Sequence, residues 1–476
     1  MESIWRQTCG IRSRPGLDQN IETDAAVIGG GMAGILIADA LKTAGRQVVV
    51  LEADRIAGGQ TQNTTAKITA QHGMIYGKLI RSFGEQRAKQ YAQANQEAVS
   101  AYRALIGTRR IDCDFEARDA FLYGDDLPAL SAEAEAAARL GLPADLTGGA
   151  GLPFPCAGAV RFRDQAQFHP LKFLRALADG LTVYEHTPVK VVGGNILKAG
   201  GHTVRANHVV FACHYPFVNF PGLYFARMYQ ERSYVLALEN APLADGMFLG
   251  ADGGGYSLRW WNGLLLFGGE SRRAGENSDG GRYDALRRKA VELFPGCRET
   301  ARWSAQDCIP ADGVPYIGLY ASSRPNWYVA TGFQKWGMTS SMVSAQIITD
   351  LICGRRNPYA AVFSPARFGG TAAGGVLSEV GHSVKGLSRL FLQVPAAAAE
   401  KLLPGHGGIV FLNGKKVGVY REPGGDIHMV DPRCPHLGCQ VEWDPDELSW
   451  DCPCHGSRFD YTGKLISGPA QTDLRG

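Results

Sequence analysis

Apolar residues in this chain change their spacing several times, and the changes divide it. Asp24–Ile28 is a short apolar run that passes through glycines into a stretch with Ile35, Leu36, Ala40 and Leu41 at helical spacing. Gln47–Glu52 then returns to a strand-like run, so the opening reads strand, helix, strand. Lys78–Ile106 sets Phe83, Tyr91, Ala94, Ala98, Tyr102 and Leu105 near one face and predicts a long helix, and the alanine-rich Ala129–Leu142 predicts another. His208–Cys213 and Asn326–Thr331 read as strands, the second leading into a helix that ends at Gly354. Between about 220 and 305, strand-like runs dominate: Tyr234–Leu238, Tyr256–Trp261 and Leu264–Phe267. From Phe368 the composition turns to Gly, Ala and Ser, which predicts a linker over 371–389 before a β-rich region at 390–476. Residues 1–20 are expected to be an ordered extension.

Composition narrows this picture only slightly. A chain of 476 residues has room for two to four domains, and 45% hydrophobic with 20% charged residues is ordinary for a globular protein. The net charge of +3 offers no basis for nucleic-acid or membrane-surface binding. No run approaches the length of a membrane span, and the first twenty residues carry neither an apolar signal core nor twin arginines. The expected compartment is therefore cytoplasmic. Of eleven cysteines, seven are scattered and read as reduced core residues.

Gly29, Gly31 and Gly34 fit G-x-G-x-x-G at the turn from strand to helix. The first makes the turn, the second admits a pyrophosphate, and the third allows close helix–strand packing. The free N–H groups of the helix start then face the phosphates. Glu52, at the end of the second strand, lies where a carboxylate binds ribose hydroxyls. Two further segments separate FAD from NAD. Ala57–Thr69 is a small, polar loop, with Thr61 and Thr65, suited to wrapping a large cofactor. Asp312-Gly-Val-Pro-Tyr-Ile-Gly318 and the later Gly332-Phe-Gln-Lys-Trp-Gly-Met-Thr339 resemble segments of the D-amino-acid-oxidase type of flavoenzyme, which includes glycine and sarcosine oxidases. Phe168-His-Pro170 before a helix adds to the match, which spans most of 20–365.

The resemblance implies a Rossmann-like α/β FAD-binding domain interrupted by a mixed β-sheet substrate domain. It places FAD binding at about 20–80, 155–215 and 305–365, and the substrate domain at about 81–154 and 216–304, all within 1–370. It also implies that Asp312, Gly332, Lys335, Gly337, Met338 and Thr339 close over the flavin. Cys308 is out of register with the cysteine that binds flavin covalently in sarcosine oxidases, so non-covalent FAD is expected.

Near the C-terminus, Cys434-Pro-His436 and Cys452-Pro-Cys-His455 pair one cysteine with one histidine twice. That order counts against structural zinc, where paired cysteines precede paired histidines. The pattern resembles an all-β Rieske [2Fe–2S] domain, in which Cys434, His436, Cys452 and His455 are the ligands and two imidazoles raise the potential. The match is to the Rieske domains of respiratory complexes, which carry an extra cysteine pair. It implies a disulfide between Cys439 and Cys454, and a proline loop at Gly468-Pro-Ala470 over the cluster. Ser457 matches the family's donor to a sulfide, whereas Phe459 stands where that type has a tyrosine. One donor to sulfur is lost, which predicts a potential near or below the middle of the roughly −150 to +300 mV range.

A one-electron carrier beside one FAD site, with no second nucleotide motif, implies that a substrate reduces the flavin. The leading expectation is a dehydrogenase of amines or amino acids that passes electrons singly to an external carrier protein or quinone-like acceptor. Reverse flow from an external donor, and a non-catalytic electron-transfer or redox-sensing protein, are the alternatives. Arg259 is the candidate carboxylate clamp, Lys335 and Trp336 candidates to face the flavin, and His72 a candidate to touch flavin or substrate. Tyr234 and Tyr256 are candidates for the pocket lining, and His214 reads as structural.

Overall fold

The computed structural model describes residues 2–252, 255–367 and 402–476, so the expected linker lies outside the described residues. Ile21–Ile28 forms the centre of an eight-stranded sheet whose main path runs Tyr316–Leu319, Trp327–Thr331, His202–Phe211, Ile21–Ile28, Val48–Leu51 and Thr182–Tyr184, with Ile196–Ala199 and Val189–Gly193 branching from His202–Phe211. Its central strands run parallel, with Ala25 opposite both Val48 and His208. Strands buried on both faces are continuously apolar, and Val27, Val50 and Val210 have no exposed surface. The helix Met32–Thr43 packs on this sheet and against the apolar helix Gly337–Ile352.

A nine-stranded mixed sheet carries Arg298–Pro310, Met228–Glu239, Leu264–Arg273, Ser257–Trp261, Met247–Gly250, Glu116–Gly124, Gly158–Gln167 and Lys67–Ile68 in that order, with Ala144–Thr147 also paired to Gly158–Gln167. It reaches well outside the strand-rich stretch at 220–305, drawing in Lys67–Ile68 and Gly158–Gln167 from within the expected FAD-binding segments 20–80 and 155–215. Its alternation divides two cores. Val235 and Ala237 face the FAD-binding half, while Tyr234, Leu236 and Leu238 pack with Phe267, Tyr283 and Leu286 under the helix Arg282–Leu293.

The long helix expected over Lys78–Ile106 is two, Tyr76–Phe83 and Glu85–Arg109, divided at Gly84, whose φ of +79° glycine tolerates readily. The alanine-rich helix expected over Ala129–Leu142 runs Leu127–Arg139, with Asp126 accepting from the Ala129 N–H as its cap. The N-terminal extension is ordered. Ile4–Thr8 is helical, and Trp5 is fully buried, with its ring donating to the Thr64 carbonyl at 2.6 Å. The C-terminal region holds a three-stranded sheet, Gly407–Leu412, Lys415–Arg421 and Ile427–Val430. A four-stranded sheet runs from Glu442–Asp444 to Leu465–Ser467.

Candidate functional site: a dinucleotide cradle and a histidine–cysteine cluster site

The glycine turn is built as its chemistry requires. A Cβ on Gly34 would stand 1.9 Å from the Gly29 carbonyl oxygen, and one on Gly29, at φ +108°, would meet Ala212 O at 2.5 Å. The helix after it starts at Gly31 with no capping side chain of its own. Thr61 accepts from the Met32 N–H at 3.0 Å and places the 57–69 loop against the helix start. Glu52 accepts from the Gly30 N–H at 2.6 Å and from Asp54 N–H at 2.9 Å. Burial raises its carboxyl pKa, and those two N–H groups oppose the rise. A side-chain-free turn, an open helix start and an acidic residue on the second strand fit a dinucleotide.

The 65–72 segment, which includes the strand Lys67–Ile68, meets the start of Gly337–Ile352. His72 donates or accepts at 2.7 Å with Tyr91 Oη, and its Nε2 lies 2.9 Å from Thr69 O and 3.2 Å from Thr339 Oγ1. Its ring stacks on Trp336 with centroids 4.6 Å apart. Burial lowers the His72 pKa to about 3, so the ring is neutral. Tyr102 donates to Met338 O at 3.0 Å and fixes the same helix start. Gly332, at φ +72°, packs where a Cβ would be 2.7 Å from Pro310. Asp312 is committed elsewhere: it is buried, accepts from both Arg367 Nε and Nη2 at 2.9 and 3.1 Å, and caps the Val314 N–H.

The catalytic candidates fare unevenly. Arg259 has no exposed surface. Its guanidinium donates to Gln167 Oε1 at 3.0 Å, Phe168 O at 2.8 Å and Ala66 O at 2.9 Å, and also to Thr65 O. The expected carboxylate clamp is therefore corrected: this arginine ties the Thr65–Ala66 loop to the sheet. Burial among neutral carbonyls lowers its pKa to about 9. Tyr256 and Tyr234 are also corrected. Both lie on the face turned away from the FAD-binding half, Tyr256 stacked on Phe267 at 4.9 Å and Tyr234 in a T-shaped contact with Tyr283. Lys335 is exposed and reaches Ser271 Oγ at 2.6 Å and Glu231 Oε2 at 3.6 Å.

Two groups on the FAD-facing side of the sheet escaped sequence reasoning. Lys67 donates to Phe248 O at 2.6 Å and Ser257 Oγ at 2.7 Å, and burial followed by the nearby Arg259 lowers its pKa to about 7. Asp307 stands directly across from Glu231, and burial raises its pKa to about 7 against the opposing pull of Lys335. The two stand 240 positions apart, at 67 and 307, so no spacing marks them.

In the C-terminal region Cys439 and Cys454 form a disulfide that ties the 434–439 loop to the 452–457 loop. Cys434 and Cys452 are buried beside it. The His436 and His455 rings lie edge to face at 4.9 Å. His436 Nδ1 and both nitrogens of His455 are buried without a hydrogen-bond partner. Buried polar atoms are ordinarily paired, so imidazole nitrogens left free next to two buried thiols fit a metal cluster. Ser457 Oγ accepts from Ala470 N–H at 3.0 Å and brings the Gly468–Ala470 loop over the site.

This region sits on the outer face of the mixed sheet. Arg232, 2% exposed, extends Nη1 to Asp444 at 2.6 Å and Asp451 at 2.5 Å, and Nη2 to Gln306 at 2.6 Å. Burial alone would lower the Arg232 pKa, but Asp451 and Asp444 overcome it and raise it. Gln230 donates to His455 O at 2.6 Å and Gln306 to Gly456 O at 2.7 Å. His436 Nε2 lies 2.8 Å from Asn219 Oδ1, and the His455 ring is flanked by Tyr215 and Phe225.

Comparison with known proteins agrees with both halves. Residues 24–351 match the family described as FAD dependent oxidoreductase, and 393–476 match the Rieske [2Fe-2S] domain. The chain is 38% identical over 493 aligned residues to YhfW, a Rieske 2Fe-2S iron-sulfur protein of Bacillus subtilis (strain 168), covering 100% of this chain and 97% of that one. Its C-terminal part is 33% identical over 127 residues to cytochrome b6-f complex iron-sulfur subunit 1 of the Cyanophora paradoxa cyanelle, covering 26% of this chain and 50% of that protein. The fold is that of glycine oxidase from Geobacillus kaustophilus, with a TM-score of 0.61 and 20% identity over 73% of this chain and 100% of that one. A glycine cradle that fits a dinucleotide and a buried Cys–His cluster site are thus joined in one chain, which belongs to the D-amino-acid-oxidase family of FAD-dependent oxidoreductases and carries a C-terminal Rieske [2Fe–2S] domain.

Proposed function

We propose that this oxidoreductase is a dehydrogenase of amines or amino acids that delivers electrons singly, through its Rieske domain, to an external acceptor. One observation carries the reading: the loop holding Cys452 and His455 is seated on the strands Met228–Glu239 and Arg298–Pro310, whose other face looks toward the FAD-binding half. An enzyme discharging directly to oxygen has no use for a carrier placed there.

Non-covalent FAD, held by Gly29, Gly31, Gly34, Glu52 and the 57–69 and 332–339 segments, supplies a two-electron acceptor for the C–H beside a nitrogen. Cys434, His436, Cys452 and His455 hold the one-electron cluster. Cys308, buried with Sγ 3.4 Å from His214 Nε2, shares its side of the strand with Gln306 and supports the non-covalent reading. The remaining work is placement. Arg259 holds the 65–66 loop, and His72 stays neutral under Trp336. Lys335 spans from the helix start to Glu231 and Ser271 on the sheet, beside Asp307, whose carboxyl burial keeps partly protonated near neutrality. With Arg259 spent on neutral oxygens, carboxylate recognition does not fall to it.

Anaerobic mixing with D-amino acids, glycine derivatives and polyamines tests this. Flavin bleaching by one compound, followed by reduction of the cluster, is the expected result. Bleaching by none, with fast cluster reduction by a reduced ferredoxin, would reverse the direction of flow. Turnover under neither condition would leave a non-catalytic carrier or sensor.

A further inference from the structure

The contact between the two modules is built like a protein interior. Three glycines meet the opposite module where a methyl group would not fit. A Cβ on Gly456 would lie 2.7 Å from Gln230, one on Gly275 2.5 Å from Pro453 N, and one on Gly280 2.6 Å from Pro445. Packing this close resembles a core more than a transient contact.

Polar groups on each side are completed by the other. The helix Arg282–Leu293 starts at Gly281 without a cap of its own, and Asp446 of the Rieske domain accepts from the Gly281 and Arg282 N–H groups at 3.1 and 2.9 Å. A carboxylate there also complements the helix dipole. Asn277 donates to Asp444 at 2.9 Å and Asp446 at 3.0 Å, and Tyr283 donates to Glu447 at 2.8 Å. Arg232 between Asp444 and Asp451 fixes the register, because any slip parts a buried cation from its two anions. His455, 2% exposed, faces Tyr215 and Phe225 of the FAD domain.

We propose that the Rieske domain stays docked through the whole redox cycle. Arg232, Gln230, Gln306 and Asp446 are its positioning residues, and the His455 edge is an internal port closed to outside carriers. An external acceptor must then meet the chain away from His455. The inference rests on the proposed function only in taking flavin and cluster to exchange electrons. In each exchange the reduced flavin loses one electron and the ferric cluster gains it.

A site-specific protease sequence inserted between Val380 and Gly381 of the loaded protein tests the dock without turnover. After cleavage, both fragments are expected to co-elute at micromolar concentration with flavin and cluster absorbance together. Separation of the wild-type fragments overturns the proposal. Asp446→Ala combined with Tyr283→Phe should weaken fragment association roughly fivefold to tenfold, while Asp446→Asn, which keeps an acceptor oxygen, weakens it less. An unchanged association would remove Asp446 from the positioning role.

Photoreducing the flavin and following cluster reduction supplies a second readout that needs no amine, so it stands whether or not the substrate class is right. A permanent dock leaves the transfer rate unchanged when sucrose doubles the viscosity. A rate that falls in proportion to viscosity marks a moving domain and overturns the proposal.

Discussion

Two buried arginines on one sheet end in opposite electrostatic states. Arg259, on Ser257–Trp261, points toward the FAD-binding half and meets only neutral oxygens. Arg232, on Met228–Glu239, points outward and meets two carboxylates. Burial lowers the pKa of the first, while in the second the anions win over burial. The first works as a hydrogen-bonding brace for a cofactor loop and the second as an ionic lock for another domain. The sheet is the common wall of both redox modules, and each of its faces carries one arginine that holds its module in place.

Exchanging each arginine for methionine should break the two modules separately. Arg232→Met leaves Asp444 and Asp451 facing one another and is expected to cost about 3–5 kcal/mol. Thermal loss of the cluster's visible absorbance would show it, with flavin still bound. Arg259→Met strips donors from neutral acceptors, costs about 1–3 kcal/mol, and loosens flavin while the cluster stays. If Arg232→Met releases flavin as readily as Arg259→Met does, the two faces are not independent.

Acid should strike the FAD face through His72. Its folded pKa of about 3 lies below the ordinary value of 6.5, so between these limits the unfolded chain binds more protons. The stability is complete above pH 6.5 and is lost as pH falls toward 3, at up to about 1.4 kcal/mol per pH unit. His72→Asn should flatten that part of the pH profile of thermal unfolding. An unaltered slope would assign the acid sensitivity elsewhere.

Smaller effects belong to the outer face. Asp446→Ala removes a cross-domain helix cap and is expected to cost about 1 kcal/mol in denaturant unfolding. Phe459→Tyr restores a donor toward the cluster and should raise its potential by tens of millivolts, on a scale of about 60 mV per tenfold change in equilibrium. A redox titration showing no rise would separate the low-potential expectation from this residue.

Parts of the site were legible because their chemistry is local. Gly34 has to be glycine, since a carbonyl five residues earlier crosses its Cβ position. The Cys–His pairs are ordered within two short loops, and the disulfide between Cys439 and Cys454 follows from the family they resemble. Other residues misled for an equally physical reason. Arg259 stands in a strand of the substrate domain, as a clamp should, but its partners come from residues 65–66 and 167–168, about ninety or more positions away. Asp312 lies in a motif of the resembled family and yet answers to Arg367. Gly84 divides a helical pattern whose apolar spacing continues on both sides of it.

The sequence by itself determined two cofactors, the glycine turn for one, the cysteine–histidine loops for the other, and the alternation of the strands between them. Each depends on neighbours within a few residues, where backbone geometry and ligand spacing leave little choice. Only the tertiary structure decided which face of the mixed sheet meets which module. Alternation sets Tyr234 and Val235 on opposite sides without saying what covers either. That choice came from contacts such as Arg232 with Asp444, 212 positions apart, and through them His455 was turned toward the wall shared with the flavin domain.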